Sequence, residues 1–346
     1  MRETPELVHD LAGIPFDRPG KHHYRLAFHL DSSWGYSLVP LTVINGLRPV
    51  DGAPPPGVAA FGGTHGNEYE GQVAIKRLCR ELNPEEMCGR LILMPQLSES
   101  ACTGHTRLSR QDGVNMNRAF PGDPHGTLSY RIADFVKRRV FPQVRVVLDI
   151  HSGGNEAVFP VCTSFHPLTD AAQHRETAQV AALFDTPFIF VYSRQMASGL
   201  LTDEAEDEGK ITLGGEFGFG ESVSPQGVRH AYEGIKNVLR HYRLLPGEIV
   251  RIDPKRTTPP RLVQAPHLRD YIPCPCDGIW EPAVAPGALI DAGDTVGWLH
   301  DFADHTQEPL AIRAHRAGIV IALYFAAVCR KGTTLFVIGE TVPDRI

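Results

Sequence analysis

Two histidines and two glutamates stand where apolar segments give way to glycine-rich turns. His65 and Glu68 lie three residues apart in the segment Phe61-Gly-Gly-Thr-His-Gly-Asn-Glu68. An imidazole and a carboxylate on one turn can face a single cation, and the glycines let the backbone approach closely. His151, in Val-Val-Leu-Asp-Ile-His-Ser-Gly, ends another apolar run and is the candidate third ligand. Two histidines and a glutamate with a free fourth position form a catalytic zinc set. A strand-end histidine is also commonly held by hydrogen bonds alone, and His-x-x-Glu recurs by chance. The metal reading therefore requires that the three side chains meet.

Two further segments carry polar chemistry. Arg110-Gln-Asp-Gly-Val-Asn-Met-Asn117-Arg118 is a polar loop with turn residues on both sides. An arginine fork binds a carboxylate bidentately or polarises a carbonyl oxygen, although a surface ion pair is the alternative. Glu216, in Gly-Gly-Glu-Phe-Gly, ends an apolar strand among glycines. Just beyond a metal it can take a proton from an attacking water and hand it to a leaving amine. The alternative there is an ion pair with a nearby Lys or Arg.

These residues need a frame that brings distant strand ends together. Residues 23–47 alternate apolar and polar and predict a strand pair, followed by a Pro/Gly linker over 48–57. From Val58, short apolar runs alternate with helical periods. The expected strands are VAAFGG, RLILMPQL, VRVVLDIHSG, FIFVYS and ITLGGEF. Helices are expected over EYEGQVAIKRLCRELN, with Val73, Leu78 and Leu82 on or near its apolar face, and over LSYRIADFVKRRVF. Three more are expected around Gln173 to Phe184, near Thr202 to Glu208, and from Pro225 to Tyr242. This order predicts an α/β fold, a mixed sheet with helices on both faces, whose chemistry gathers at strand ends. After Leu245 the helical periods stop, and a small C-terminal all-β, barrel-like domain is expected over 246–346. Residues 1–50 form an N-terminal β segment, and 51–245 the catalytic unit.

The 346 residues carry 34 basic and 40 acidic side chains, net −6, which argues against nucleic acid as a partner. No apolar run is long enough to span a membrane, and the N-terminus lacks the apolar stretch of a secretory signal. A cytoplasmic protein is expected. Seven scattered cysteines do not form a disulfide framework, and Cys274-Pro-Cys276 lacks a second pair at zinc spacing.

Taken in order, GGTHGNE, RQDGVNMNR, DIHSG and GGEFG resemble the zinc-carboxypeptidase superfamily, and within it the succinylglutamate desuccinylase/aspartoacylase branch. The resemblance spans roughly residues 30 to 345. It implies one Zn2+ per chain on His65, Glu68 and His151, with Glu216 as general base and acid. It also implies that Arg110, seven residues before Asn117, polarises the scissile carbonyl, while Asn117 and Arg118 hold the substrate's α-carboxylate. Tyr271 is the candidate for a tyrosine that assists some relatives from the C-terminal domain, which would cap the cleft against polypeptides.

The wider texture (HGNEYEGQ, NRAFPGDPHGT, DIHSGG, DEAEDEGK) is most similar to N-acetyl-diaminobutyrate deacetylases of ectoine breakdown. Between Arg110 and the Asn-Arg pair this chain departs from the aspartoacylase pattern, so an acidic acyl group does not follow. The expected function is removal of an acyl group, acetyl first, from a small N-acyl amino acid by a homo-oligomer, dimer or tetramer. The competing readings are a deacylase of acidic substrates, a zinc carboxypeptidase and a non-catalytic metal-binding protein.

Overall fold

A computed structural model describes residues 4–31, 34–50 and 52–342. Ser32 and Ser33, within the expected strand pair, and Asp51, within the linker, lie outside the described residues. The chain opens with β1 (Glu6–Val8), β2 (Gly20–His29), β3 (Tyr36–Asn45), β4 (Val58–Gly62), α1 (Glu70–Glu81), β5 (Arg90–Met94), α2 (Glu99–Gly104) and α3 (Leu128–Phe135). It continues through β6 (Val146–Ile150), β7 (Ala157–Val158), β8 (Cys162–Phe165), α4 (Ala171–Ala182), β9 (Phe188–Tyr192), α5 (Leu201–Asp207), β10 (Ile211–Glu216) and α6 (Pro225–His241).

The central strands are apolar on both faces because both faces are covered. Side chains alternate along a strand, so Val58 and Ala60 of β4 enter one core while Ala59 and Phe61 enter the other. The first core packs against α1, α4 and α6 through Ile75, Leu78, Val180, Ile235 and Val238. The second packs against α3, the turn that follows it and α5 through Ile132, Val136, Leu201 and Ala205. Burying each such aliphatic side chain contributes about 1.5–3 kcal/mol against the chain entropy lost on folding. On α1 the covered face is Ala74, Ile75, Leu78 and Leu82; Val73 sits at its margin, half-buried. The expected helix through Phe141 is α only to Phe135, then widens into a π turn over 136–140.

The sheet runs in the order β1-β2-β3-β5-β4-β6-β10-β8-β9-β11-β19-β17-β14. Strands β5, β4, β6 and β10 are parallel neighbours, and β8 pairs with β10 antiparallel. The remaining strands are β11 (Arg261–Ala265), β12 (Tyr271–Pro273), β13 (Gly278–Pro282), β14 (Leu289–Ile290), β15 (Thr295–His300), β16 (Leu310–Arg313), β17 (Gly318–Tyr324), β18 (Val328–Cys329) and β19 (Thr334–Thr341). All five residues of β11 pair in parallel with β9, so the change in composition after Leu245 is not a break in the sheet. A second sheet, β16-β15-β13-β18, shares a core with β17 and β19, where Trp280 stacks on Phe336.

Candidate active site

Strands β4, β6 and β10 are consecutive, and their C-terminal ends finish side by side. Gly62 lies opposite Ile150, Leu213 opposite Leu148, and a last bridge pairs His151 with Glu216. The turn from β4 towards α1 depends on two glycines. Gly63 has φ +64°, a conformation that side chains with a Cβ rarely adopt. A Cβ on Gly66 would lie 2.0 Å from the carbonyl carbon of Ala101. That close approach carries His65 and Glu68 back over the sheet edge.

His65, Glu68 and His151 are brought together. Glu68 bridges the two imidazoles, with Oε1 2.7 Å from His65 Nδ1 and Oε2 2.9 Å from His151 Nδ1. The three ligand atoms lie within 4.8 Å of one another. Each outer imidazole nitrogen has its own acceptor: Asn115 Oδ1 at 3.0 Å from His65 Nε2, and Asp149 Oδ2 at 2.7 Å from His151 Nε2. Thr64 donates to the other oxygen of Asp149 at 2.7 Å. With Nε2–H donating outwards, both Nδ1 lone pairs face the carboxylate, an arrangement that calls for positive charge between them.

Protonation follows the same demand. Burial opposes ionisation of Glu68, but His65 and His151 outweigh it and hold the carboxyl well below its ordinary range. Burial would also lower His151, yet Asp149 and Glu68 raise it well above its usual value. Two imidazole nitrogens and a carboxylate, fixed from behind and buried, fit a zinc ion.

Glu216 stands beside this group without belonging to it. Burial first, and the charge of Glu68 second, push its carboxyl up to about 8. Its Oε2 has no hydrogen-bond partner among the described residues. A cavity of about 220 Å³ opens here, lined by Glu216, His151, Arg107, Asn117, Arg118, Tyr192 and Tyr271. Drug-sized ligands occupy pockets of about 300–1,000 Å³, so this one suits a smaller molecule. Asn117 is oriented by Leu201 N–H, which donates to its Oδ1 at 3.0 Å, and its Nδ2 lies 3.3 Å from His151 Nε2. Arg118 folds one N–H back onto the Asn117 carbonyl at 2.6 Å and keeps its others for the cavity.

One expected residue is placed elsewhere, and a second reaches the cavity with its polar group already engaged. Arg110 does not line the cavity: its exposed side chain covers Gly104, at the tip of a turn closed by Ser109 and Val114 in which Gly113 has φ +66°. The arginine in the site is Arg107, whose Nη1 donates to Glu68 Oε1 at 3.1 Å. Spacing from the Asn-Arg pair favours Arg110. Asp112-Gly113, read as the turn it forms, was the signal that sends that side chain outwards. Tyr271 does reach the cavity wall, but its hydroxyl is engaged, donating to the Ala265 carbonyl at 3.2 Å and accepting from Ser193 N–H at 3.4 Å.

Sequence reasoning also passed over the residues that orient the site. Asn115 and Asp149 hold the imidazoles. Asp112 ties the polar loop to α3, accepting from Ser129 N–H at 2.8 Å, Thr127 Oγ1 at 2.7 Å and Ser129 Oγ at 3.0 Å.

The fold and site define an amide-hydrolysing enzyme, and residues 54–242 match the succinylglutamate desuccinylase/aspartoacylase catalytic domain. The chain belongs to that family. It is 34% identical to an N-alpha-acetyl-L-2,4-diaminobutyric acid deacetylase of Halomonas elongata, over 96% of this chain and 95% of that one. Among solved structures it is similar to a succinylglutamate desuccinylase/aspartoacylase from Rhodobacter sphaeroides, with TM-score 0.88, 33% identity, and 96% and 98% of the two chains covered. It is also similar to the product-bound ectoine utilization protein EutE of Ruegeria pomeroyi, with TM-score 0.86, 31% identity, and 95% and 98% covered. Among the described residues, no helix is long and apolar enough to cross a membrane.

Proposed function

We propose that this enzyme is a zinc-dependent deacetylase that removes the acetyl group from the α-nitrogen of N-acetyl-diaminobutyrate. The observation that carries the chemistry is the meeting of His65, Glu68 and His151 at adjacent strand ends, beside a Glu216 whose Oε2 has no hydrogen-bond partner among the described residues. The substrate is supported by the Halomonas relative, which aligns over nearly the whole chain.

His65 Nδ1, His151 Nδ1 and Glu68 would hold the zinc, which supplies Lewis acidity towards the acyl oxygen and the attacking water. The chain's own groups do the rest. Glu216 takes the proton from the water as it attacks the acyl carbon, and returns it to the amine that leaves. A dication held by His65, Glu68 and His151 would counter the burial that raises Glu216 and keep its carboxylate available as base at neutral pH. Arg107 donates to the acyl oxygen as negative charge develops there. Arg118 and the Asn117 amide hold the α-carboxylate, which orients the scissile bond.

We assign residues 1–50 to an N-terminal β segment, 51–245 to the catalytic domain, and 246–346 to a small β domain that caps the cleft. Tyr271 on the wall of a small cavity supports the cap, which admits an amino-acid derivative and keeps polypeptides out. The test is acetate and amine release from N-acetyl-diaminobutyrate, N-acetyl-aspartate, N-succinyl-glutamate and a dipeptide, with and without chelator. Chelator-sensitive turnover of the diaminobutyrate compound alone is expected. Turnover of the dipeptide would overturn the cap, and preference for an acidic substrate would overturn the substrate.

A further inference from the structure

Besides the zinc ligands, the described residues contain one more buried group of this kind: His166, Asp203 and Glu206. Glu206 Oε2 lies 3.0 Å from His166 Nδ1, and Asp203 Oδ1 lies 3.5 Å from the same nitrogen. Thr212 Oγ1 donates to Glu206 Oε1 at 2.9 Å. Two carboxylates thus face one imidazole, and even a protonated ring leaves them one positive charge short. Among the described residues Asp203 Oδ1 and His166 Nε2 have no hydrogen-bond partner, and both residues are more than nine-tenths buried. On this helix's surface Arg194 pairs with Asp207 and Lys137 with Glu204; the charges of Arg194 and Arg118 reach Asp203, but neither forms an ion pair with it among the described residues. An uncompensated buried carboxylate is costly, and such a site asks for a cation.

This cluster lies behind the wall of the catalytic cavity, which Asp203, Glu206 and His166 do not themselves line. The Tyr192 ring packs on His166 with centroids 4.1 Å apart, and Tyr192 and Thr202 line the cavity. Tyr192 feels the charges of Glu206 and Asp203 as well as that of Glu216, and Arg118 feels that of Asp203. The acidic group is therefore within electrostatic reach of both ends of a small substrate held at Arg118 and Glu216.

We propose that Asp203, with Glu206 and His166, sets a preference for a cationic side chain on the acyl amino acid, an alkylammonium a short way out from the α-carbon, through its negative charge behind Tyr192 and Thr202. The inference rests on the deacetylase reading of the site and adds how it selects its substrate. The cluster's negative charge favours an ammonium in the cavity and disfavours the side-chain carboxylate of an acidic amino acid. Asp203 and Glu206 are specificity residues here and touch no reacting bond.

The test compares Nα-acetyl-diaminobutyrate with N-acetyl-2-aminobutyrate, which lacks only the side-chain ammonium, in the zinc-loaded wild type, Asp203→Asn, Glu206→Gln and Asp203→Glu. Wild type is expected to favour the ammonium substrate in kcat/KM. Asp203→Asn should shrink that ratio about 10–100-fold through KM for the charged substrate, with partial recovery in Asp203→Glu. Calorimetry with free diaminobutyrate and 2-aminobutyrate should show the same loss of discrimination. An unchanged ratio, or equal losses on both substrates, would overturn the proposal and leave a structural ion cluster. A second equivalent of tightly bound metal per chain, lost in Asp203→Asn, would overturn it in favour of a metal site. If the wild type does not hydrolyse the diaminobutyrate compound at all, the substrate reading fails instead. The charge preference is then judged by the same ratio on N-acetyl-ornithine against N-acetyl-norvaline.

Discussion

Arg107 and Arg110 are three residues apart in one loop, and the structure gives them opposite roles. Replacing Arg107 with Met removes a guanidinium that lines the cavity and donates to Glu68 at 3.1 Å. Losing one donor to a developing oxyanion costs about 2.7–4 kcal/mol, or 10²–10³-fold in turnover. Losing a partner of a metal ligand lowers metal affinity about 10–100-fold, so the assay must be run with excess zinc and bound metal measured beside it. Replacing Arg110 with Met removes an exposed side chain lying on Gly104, a change of the kind that stays within about 0.5 kcal/mol. Arg107→Met should therefore lose at least a hundredfold in kcat for acetate release at full metal occupancy, while Arg110→Met stays within about threefold. The reasoning is refuted if Arg110→Met shows the large loss and Arg107→Met does not.

Glu216→Gln should keep one zinc per chain and lose about 10²–10⁴-fold in kcat; comparable turnover by the variant would remove Glu216 from proton transfer. The metal-free protein should gain about 2.7 kcal/mol of stability at zinc a hundredfold above Kd, seen as a zinc-dependent Tm, and a His65→Ala protein should show a much smaller dependence. Asp112→Ala should cost about 1–2 kcal/mol by denaturant titration at pH 7, as loss of a helix cap does. Burial would raise the Asp112 carboxyl, but Ser109, Ser129 and Thr127 outweigh it and hold it below its ordinary value. Its contribution is therefore complete above the unfolded value near 4 and fades as pH falls through the lower folded value, so the gap between wild type and variant should close towards pH 3. A gap that widens in acid would show the sign to be wrong.

The strand ends were legible because apolar runs closed by glycine say where a sheet stops, and parallel neighbours put those stops together. His65, Glu68, His151 and Glu216 could be found for that reason. Arg107 could not be separated from Arg110 by spacing, since the difference lies in a turn geometry set by Gly113. The acids at 203 and 206 entered only as part of the texture DEAEDEGK, because helix periodicity does not reveal that α5 turns them inwards over His166. Nor could the union of β11 with β9 be read, since that pairing joins segments some seventy residues apart with no local signal.

That union has a consequence for how the chain is made. β11 continues the sheet from β9, and its other edge is covered by β19, which follows some seventy residues later in the chain. A ribosome adding about 5–20 residues per second needs about 4–15 s to pass from β11 to the end of β19. Through that interval the nascent sheet presents a bare row of amides and carbonyls, the template on which strands of other chains can add. The interval between β11 and β19 is then a window in which pairing with strands of other chains competes with completion of this sheet.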